Sequence, residues 1–283
     1  MRLASKLTKK FVPFLEILKL KGSLVDVSTI LVTGAFTGTT DQKIILAILS
    51  GAMIHSGGDI INDIYDIEID RICKPKAPIP SGRMSIKTAW LYLTSIVGAA
   101  LYISILLSRT YFILQITGIL TGYILYSHPK FRFKDIPTLS IAIIALYFFL
   151  ESLGVWSIYS PISKDALIVA TYVFFLTFSL VFMKDFRDVK GDINSLPIML
   201  GARRAAIVSS ILCLIPLILL GALYIIYGWL IILIASLVFA GLISFCLRIL
   251  LFDDPVSRGR ELKNKMILAL TIPNILIFAL DKF

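Results

Sequence analysis

The sequence contains few charged residues, few cysteines and few histidines. Only 16% of its 283 residues are Asp, Glu, Lys or Arg, and 58% are hydrophobic, whereas a soluble globular protein carries roughly 25% charged residues. The three cysteines lie far apart and form no Cys-x-x-Cys pair, so neither a disulfide framework nor a zinc site is indicated. With a mean hydropathy of +0.89, the composition is typical of a protein that crosses a bilayer several times.

The net charge of +10 does not point to a nucleic-acid partner. The basic residues cluster in the breaks between apolar runs, as they do in membrane proteins, so we expect a lipid bilayer as partner and no nucleic acid. No low-complexity segment or large soluble region interrupts the chain. We therefore expect one integral membrane domain over residues 1–283, and the sequence leaves its oligomeric state open.

The apolar runs predict an all-α fold with nine transmembrane helices. Each run is long enough for a helix that crosses about 30 Å of hydrocarbon, and the runs are too long and too uniform for the strands of a membrane barrel. The predicted segments are 13–38, 43–65, 86–107, 110–127, 137–158, 164–184, 205–226, 229–250 and 264–281.

The distribution of basic residues predicts the orientation. With the N-terminus in the cytoplasm, 22 Lys and Arg residues lie on the cytoplasmic side and 4 on the other, with Lys19 and Lys21 left uncounted inside the first segment. Eight or ten spans would lose this asymmetry. We expect a multi-pass protein of the cell membrane whose N-terminus is cytoplasmic.

Two acidic clusters follow the second and sixth apolar runs, on the predicted cytoplasmic side. The first carries acidic residues at steps of four, three and four, with Asn62 beside the same helical face: Asp59, Asp63, Asp66 and Asp70. The second repeats the steps of three and four: Asp185, Asp188 and Asp192. If the two helices face one another, they form a site with two acidic walls.

Carboxylates crowded near hydrocarbon repel one another unless cations lie between them. Magnesium suits these clusters better than zinc, because the candidate ligands are oxygens and neither cluster contains His or Cys. Mg²⁺ completes its coordination with water and phosphate oxygens, so a diphosphate is the natural third component. A carboxylate-lined cation transporter is the alternative from another functional class, and solvated interfacial acids are the alternative without a function.

Two stretches of sequence carry a resemblance to a known family. Asn62-Asp63-x-x-Asp66-x-x-x-Asp70 resembles the first aspartate-rich motif of the UbiA-type intramembrane prenyltransferases, and Asp188-x-x-x-Asp192, preceded by Lys184-Asp185, resembles the second. The resemblance implies nine helices around a central cavity, in which two Mg²⁺ ions hold the diphosphate of an isoprenyl donor. It further implies ionisation to an allylic carbocation that a lipophilic acceptor attacks.

These patterns together predict a set of site residues. We expect metal ligands in both motifs: Asn62, Asp63, Asp66, Asp70, Asp185, Asp188 and Asp192. We expect the catalytic residues to be Asp66, Asp188, Lys184 and, by its similarity to a family lysine in the same loop, Lys134. We expect substrate contacts from Asn62, Arg71, Arg187, Lys130 and Tyr126.

The loop after the first motif bears on the acceptor. Residues 71–85 resemble the corresponding loop of archaeal digeranylgeranylglyceryl phosphate synthases and of chlorophyll synthases, and residues 184–201 resemble the archaeal lipid enzymes. This resemblance implies geranylgeranylglyceryl phosphate as acceptor, with aromatic, quinone-precursor or chlorin acceptors as alternatives. Two residues depart from the common pattern: Cys73 stands where many members have Asn, and Ala77 where many have Arg.

Several polar residues lie outside the motifs. We expect Lys19 and Lys21 to extend towards the membrane interface. We expect Asp26 and Glu151 to be bound to helix neighbours, and His55 to be a hydrogen-bonded helix residue and not a base.

Overall fold

The computed structural model describes residues 11–38, 41–189 and 194–280, apart from the side chain of Asp188. The described residues form helices and connecting turns, without a strand. In chain order the helices are α1 Ser23–Phe36, α2 Lys43–Tyr65, α3 Ile67–Cys73, α4 Ile86–Leu107, α5 Arg109–Ile119, α6 Pro137–Tyr159, α7 Lys164–Val181, α8 Leu196–Leu200, α9 Ala202–Leu212, α10 Leu214–Tyr227, α11 Leu230–Phe252 and α12 Gly259–Ala279.

Seven helical stretches in the described part of the chain are long and apolar enough to cross a membrane. They match the second, third, fifth, sixth, seventh, eighth and ninth predicted segments. Their bounds are Lys43–Tyr65, Ile86–Leu107, Pro137–Tyr159, Lys164–Arg187, Ala202–Tyr227, Leu230–Phe252 and Gly259–Ala279. Large apolar side chains such as Ile225 and Phe252 remain more than four-fifths exposed, which suits a lipid surrounding. The prediction of an all-helical polytopic membrane protein is confirmed.

The first and fourth segments differ from the prediction. A continuous helix over 13–38 is wrong, because residues 11–17 are helical and a turn around Lys19, which has a left-handed φ of 47°, separates them from α1. The 14 residues of α1 extend only about 21 Å at 1.5 Å per residue. In the fourth segment, the 11 residues of α5 continue as a π-helical stretch over Leu120–Ser127.

Both acidic motifs lie where a long helix ends. α2 stops at Asp66, which has φ −95° and ψ 11°, and α3 continues the first motif after this bend. α7 passes through a 3-10 turn, Phe182–Lys184, into the short helix Asp185–Asp188. Each motif is therefore presented at the end of a long apolar helix.

α12 joins the second motif to the rest of the bundle. It packs against α1 and α11 and also contacts the end of α7. Its first residue, Gly259, touches the backbone of Arg187: a Cβ at Gly259 would lie 2.5 Å from the Arg187 Cα and 2.6 Å from its N. Only a residue without a side chain permits this approach, because backbone cannot move aside as a flexible side chain can.

We predict that Gly259→Ala destabilises the protein by about 1–3 kcal/mol, the usual range for overpacking a tight contact. Thermal unfolding in detergent micelles measures the effect. Gly241→Ala in α11 is the matched control, since nothing lies within 4 Å of a Cβ at that position. Equal unfolding temperatures for the two variants would show that the α12–α7 contact tolerates a side chain.

Candidate active site

A cavity of about 900 Å³ lies between α1, α2, α6, α12 and the end of α7. Part of its wall is apolar, with residues such as Ile54, Phe148 and Leu270. The remainder is polar and includes residues of both acidic motif segments: Asn62, Lys74, Lys184 and Arg187. The two segments, 119 or more residues apart in places, thus border the same space, as the helical spacing suggested.

Asp66 at the end of α2 binds two basic residues from the loop before α6. The Lys134 ammonium donates to the Asp66 carboxylate and, at 2.7 Å, to the side-chain oxygen of Asn62. Arg132 donates to the other Asp66 oxygen at 3.3 Å and also binds Asp135. Burial lowers the pKa of Lys134, although the hydrogen bond and charge of Asp66 act in the opposite direction. Lys134, chosen from its resemblance to a family lysine, therefore does reach the first motif.

Asp63, one turn before the end of α2, binds Lys19. The Lys19 Nζ lies 2.6 Å from Asp63 Oδ1 and 3.6 Å from Asp59 Oδ1. The Asp63 side chain is only 5% exposed, so its carboxylate needs this cation. The expectation that Lys19 extends towards the interface is wrong, because the left-handed turn directs its side chain inward.

Asp70 in α3 has one carboxylate oxygen without a partner. Its Oδ1 accepts from Lys74 at 3.0 Å. Its Oδ2 is buried and has no hydrogen-bond partner, although buried carboxylate oxygens are normally satisfied. This atom is a structural sign that the first motif can accept a further ligand.

The donor set of the first motif fits Mg²⁺. Asn62, Asp63, Asp66 and Asp70 offer oxygen atoms alone, and each carboxylate has a cation beside it. Among the described residues no three acidic, His or Cys side chains are already gathered around one point. The ammonium and guanidinium groups of the site lie between these carboxylates, so ion binding would require them to turn towards phosphate oxygens.

The second motif is described only in part. Asp185 is buried, and its Oδ1 lies 3.4 Å from the Nζ of Lys184. Lys184 and Arg187 line the cavity. The side chain of Asp188 and the whole of Asp192 lie outside the described residues, so their predicted metal binding stays a prediction.

The three remaining predicted substrate contacts lie in different surroundings. Tyr126 lines the cavity, and it belongs to the π-helical stretch. Arg71 is exposed and binds Glu68 at 2.9 Å, away from the cavity wall. Lys130 is exposed, and its backbone N–H donates to His128. The structure thus brings Tyr126 to the site but leaves Arg71 and Lys130 at its surroundings.

A buried polar group beneath the motifs was not predicted as a unit. The Nδ1 of His55 lies 2.9 Å from Asp26 Oδ2, and the Tyr147 hydroxyl donates to Asp26 Oδ1 at 3.0 Å. Asp26 is fully buried, and Glu151 lies one turn after Tyr147 at 2% exposure. His55 is hydrogen-bonded, as expected, but Asp26 is bound across helices. Acidic residues within apolar helices were the available signal, yet their partners depend on packing.

We predict that Lys19→Met lowers the free energy of unfolding by about 1–3 kcal/mol, because Asp63 would be left buried without its cation. A titration with SDS in mixed micelles measures the change. The double variant Lys19→Met with Asp63→Asn should recover most of the loss. Lys21→Met, two residues further along the same turn and without an ion pair in the described chain, is the control; equal stability of the two single variants would contradict the assignment.

Comparison with known proteins gives consistent results. The model of the UbiA prenyltransferase family matches residues 27–270. The chain is 33% identical over 232 residues to the digeranylgeranylglyceryl phosphate synthase of Sulfurisphaera tokodaii, covering 77% of this chain and 79% of that protein. It is 31% identical over 220 residues to the protein of the same name from Methanosphaera stadtmanae, covering 75% and 78%.

A solved structure shares the fold. The structure of a UbiA homolog from Archaeoglobus fulgidus bound to GPP and Mg²⁺ superposes with a TM-score of 0.72, covering 94% of this chain and 99% of that chain at 20% identity. The family match over residues 27–270 includes both aspartate-rich motifs and most of the chain. The chain therefore belongs to the UbiA prenyltransferase family and is a prenyltransferase.

Proposed function

We propose that this protein transfers a geranylgeranyl group from its diphosphate to the free hydroxyl of geranylgeranylglyceryl phosphate, in archaeal ether-lipid synthesis. The observation that carries the proposal is that both acidic motif segments border one cavity with an apolar wall. A diphosphate with a long hydrocarbon chain needs both surfaces at once. The kinship to proteins named digeranylgeranylglyceryl phosphate synthase supports this acceptor.

The donor diphosphate binds between the two motifs in this proposal. The metal ligands are Asn62, Asp63, Asp66, Asp70, Asp185, Asp188 and Asp192. Mg²⁺, which the Archaeoglobus homolog binds together with GPP, would supply positive charge against the diphosphate as it leaves. The cations that bind carboxylates within the cavity region, Lys134 and Lys184, turn to phosphate oxygens, and Arg187 joins them.

The apolar wall has a separate task. Side chains such as Ile54, Phe148 and Leu270 contact the isoprenoid chain and exclude water. Water would otherwise capture the allylic carbocation that forms when the carbon–oxygen bond to diphosphate breaks. The acceptor hydroxyl attacks this carbon, a new ether bond forms, and the proton passes to a diphosphate oxygen or to a carboxylate of the site.

The membrane arrangement follows from the same proposal. All nine predicted segments cross the bilayer around the cavity, including the short α1 and the α5 segment with its π-helical continuation. The N-terminus and both motifs lie on the cytoplasmic side, where the basic residues concentrate. Arg71 and Lys130 then lie at the cytoplasmic surface, and their predicted substrate contacts stay predictions.

The direct test uses purified protein, geranylgeranyl diphosphate and a panel of acceptors, with products identified by mass spectrometry. We expect transfer to geranylgeranylglyceryl phosphate, loss of transfer in EDTA, and recovery when Mg²⁺ is restored. Transfer only to an aromatic or chlorin acceptor would contradict the proposed acceptor and retain prenyl transfer. Transfer that persists in EDTA would contradict the metal assignment.

We predict that Asp66→Asn and Asp188→Asn each lower kcat on the order of 10²–10³-fold, comparable to the removal of one key electrostatic contact in a preorganised site. Neither variant should change the thermal unfolding temperature by more than a few degrees. Glu68→Gln is the matched control, because Glu68 lies in α3 beside the motif and is 78% exposed. Full activity in both aspartate variants would refute the metal and diphosphate assignment.

A further inference from the structure

Basic residues reach the cavity region in two groups on different elements. The loop group consists of Arg132 and Lys134, before α6. A second group, which we name the α12 arc, consists of Lys21 at the turn before α1 and Arg260 and Lys263 in the first turn of α12. All three residues of the α12 arc line the cavity.

The loop group is bound to the first motif. Lys134 and Arg132 both contact the carboxylate of Asp66. Lys19, in the same turn as Lys21, likewise binds Asp63. These cations therefore belong to the surface that would hold the donor diphosphate.

The α12 arc has a different electrostatic setting. Lys21 and Arg260 are exposed, and no acidic side chain in the described parts of the chain forms an ion pair with either. The two acidic residues that line the cavity already have basic partners: Glu16 binds Arg83, and Asp59 lies near Lys19 and His55. The charge of the α12 arc is thus available for an anion from outside the protein.

The packing of α12 places this charge beside the donor site and not within it. α12 contacts α1, which neighbours the first motif on α2. At its first residue, α12 also touches the backbone of Arg187 in the second motif. The α12 arc therefore lies along the edge of the cavity between the two motifs, opposite in sequence and in partners to the loop group.

Positive residues on this side of a membrane protein also serve orientation. Such residues are normally solvated at the surface, and Arg204 in α9 and Lys87 in α4 are exposed examples outside the cavity wall. The α12 arc differs because its three members converge on one cavity from two helices. Arg260 and Lys263 are three residues apart and so share a helical face.

We propose that the α12 arc binds a second anion, the phosphomonoester of the acceptor lipid, at a subsite distinct from that of the donor diphosphate. The inference rests on the proposed function. A guanidinium can hold two phosphate oxygens at once, and an ammonium adds a third contact. With its phosphate fixed there, the acceptor extends its hydrocarbon chain along the apolar wall and its hydroxyl towards the donor.

The test compares two acceptors that differ only in the phosphate, geranylgeranylglyceryl phosphate and geranylgeranylglycerol. Arg260→Gln and Lys21→Gln should each raise KM for the phosphorylated acceptor about tenfold, the effect of losing one charge-assisted contact. The KM for geranylgeranyl diphosphate and kcat/KM for the phosphate-free acceptor should stay unchanged. Arg260→Lys should retain part of the affinity, and Arg204→Gln and Lys87→Gln are charge-matched controls.

The outcomes separate this inference from the proposed function. Equal losses for both acceptors, a raised KM for the donor, or no change at all would overturn the phosphate subsite. A wild-type protein that transfers its donor equally well to both acceptors would also overturn it, while prenyl transfer stands. A wild-type protein that binds donor in a calorimeter but prenylates neither lipid would refute the proposed acceptor class itself.

Discussion

The structure depends on the need of carboxylates near hydrocarbon for positive charge. Asp63, Asp66 and Asp70 lie at the end of long apolar segments, and each has a basic partner in the described chain. These partners come from the turn before α1, from the loop before α6 and from the end of α3. The pairing therefore ties three distant parts of the sequence to one motif, because an unpaired carboxylate there would carry a large desolvation penalty.

Irregular backbone lies next to this charge. α2 bends at Asp66, α7 tightens into a 3-10 turn before Asp185, and α5 continues as a π-helix that carries Tyr123 and Tyr126 to the cavity. Irregular backbone at membrane depth is tolerated where it lines a cavity or is buried in protein. Here the breaks redirect the chain at the points where polar side chains must leave the apolar wall.

The helices and the motif residues could be predicted from the sequence because their signals are local. Apolar runs identified the seven spans, and steps of three and four placed Asn62, Asp66 and Asp70 near one face. The turn at Lys19 could not be predicted, because its inward side chain is stabilised by Asp63, which is 44 residues away. The bond between Asp26 and His55 escaped prediction for the same reason, since α1 and α2 had first to pack together.

The sequence by itself determined that the protein is helical, that it crosses a membrane, and that two oxygen-rich motifs stand at helix ends. Hydropathy and helical periodicity suffice for these properties, since both depend on residues close together in the chain. Only the tertiary structure decided which basic residue meets which carboxylate, and that α12 brings Arg260 to the same cavity as Lys21. Such contacts depend on helix packing, in which one glycine, Gly259, sets how closely α12 approaches the second motif.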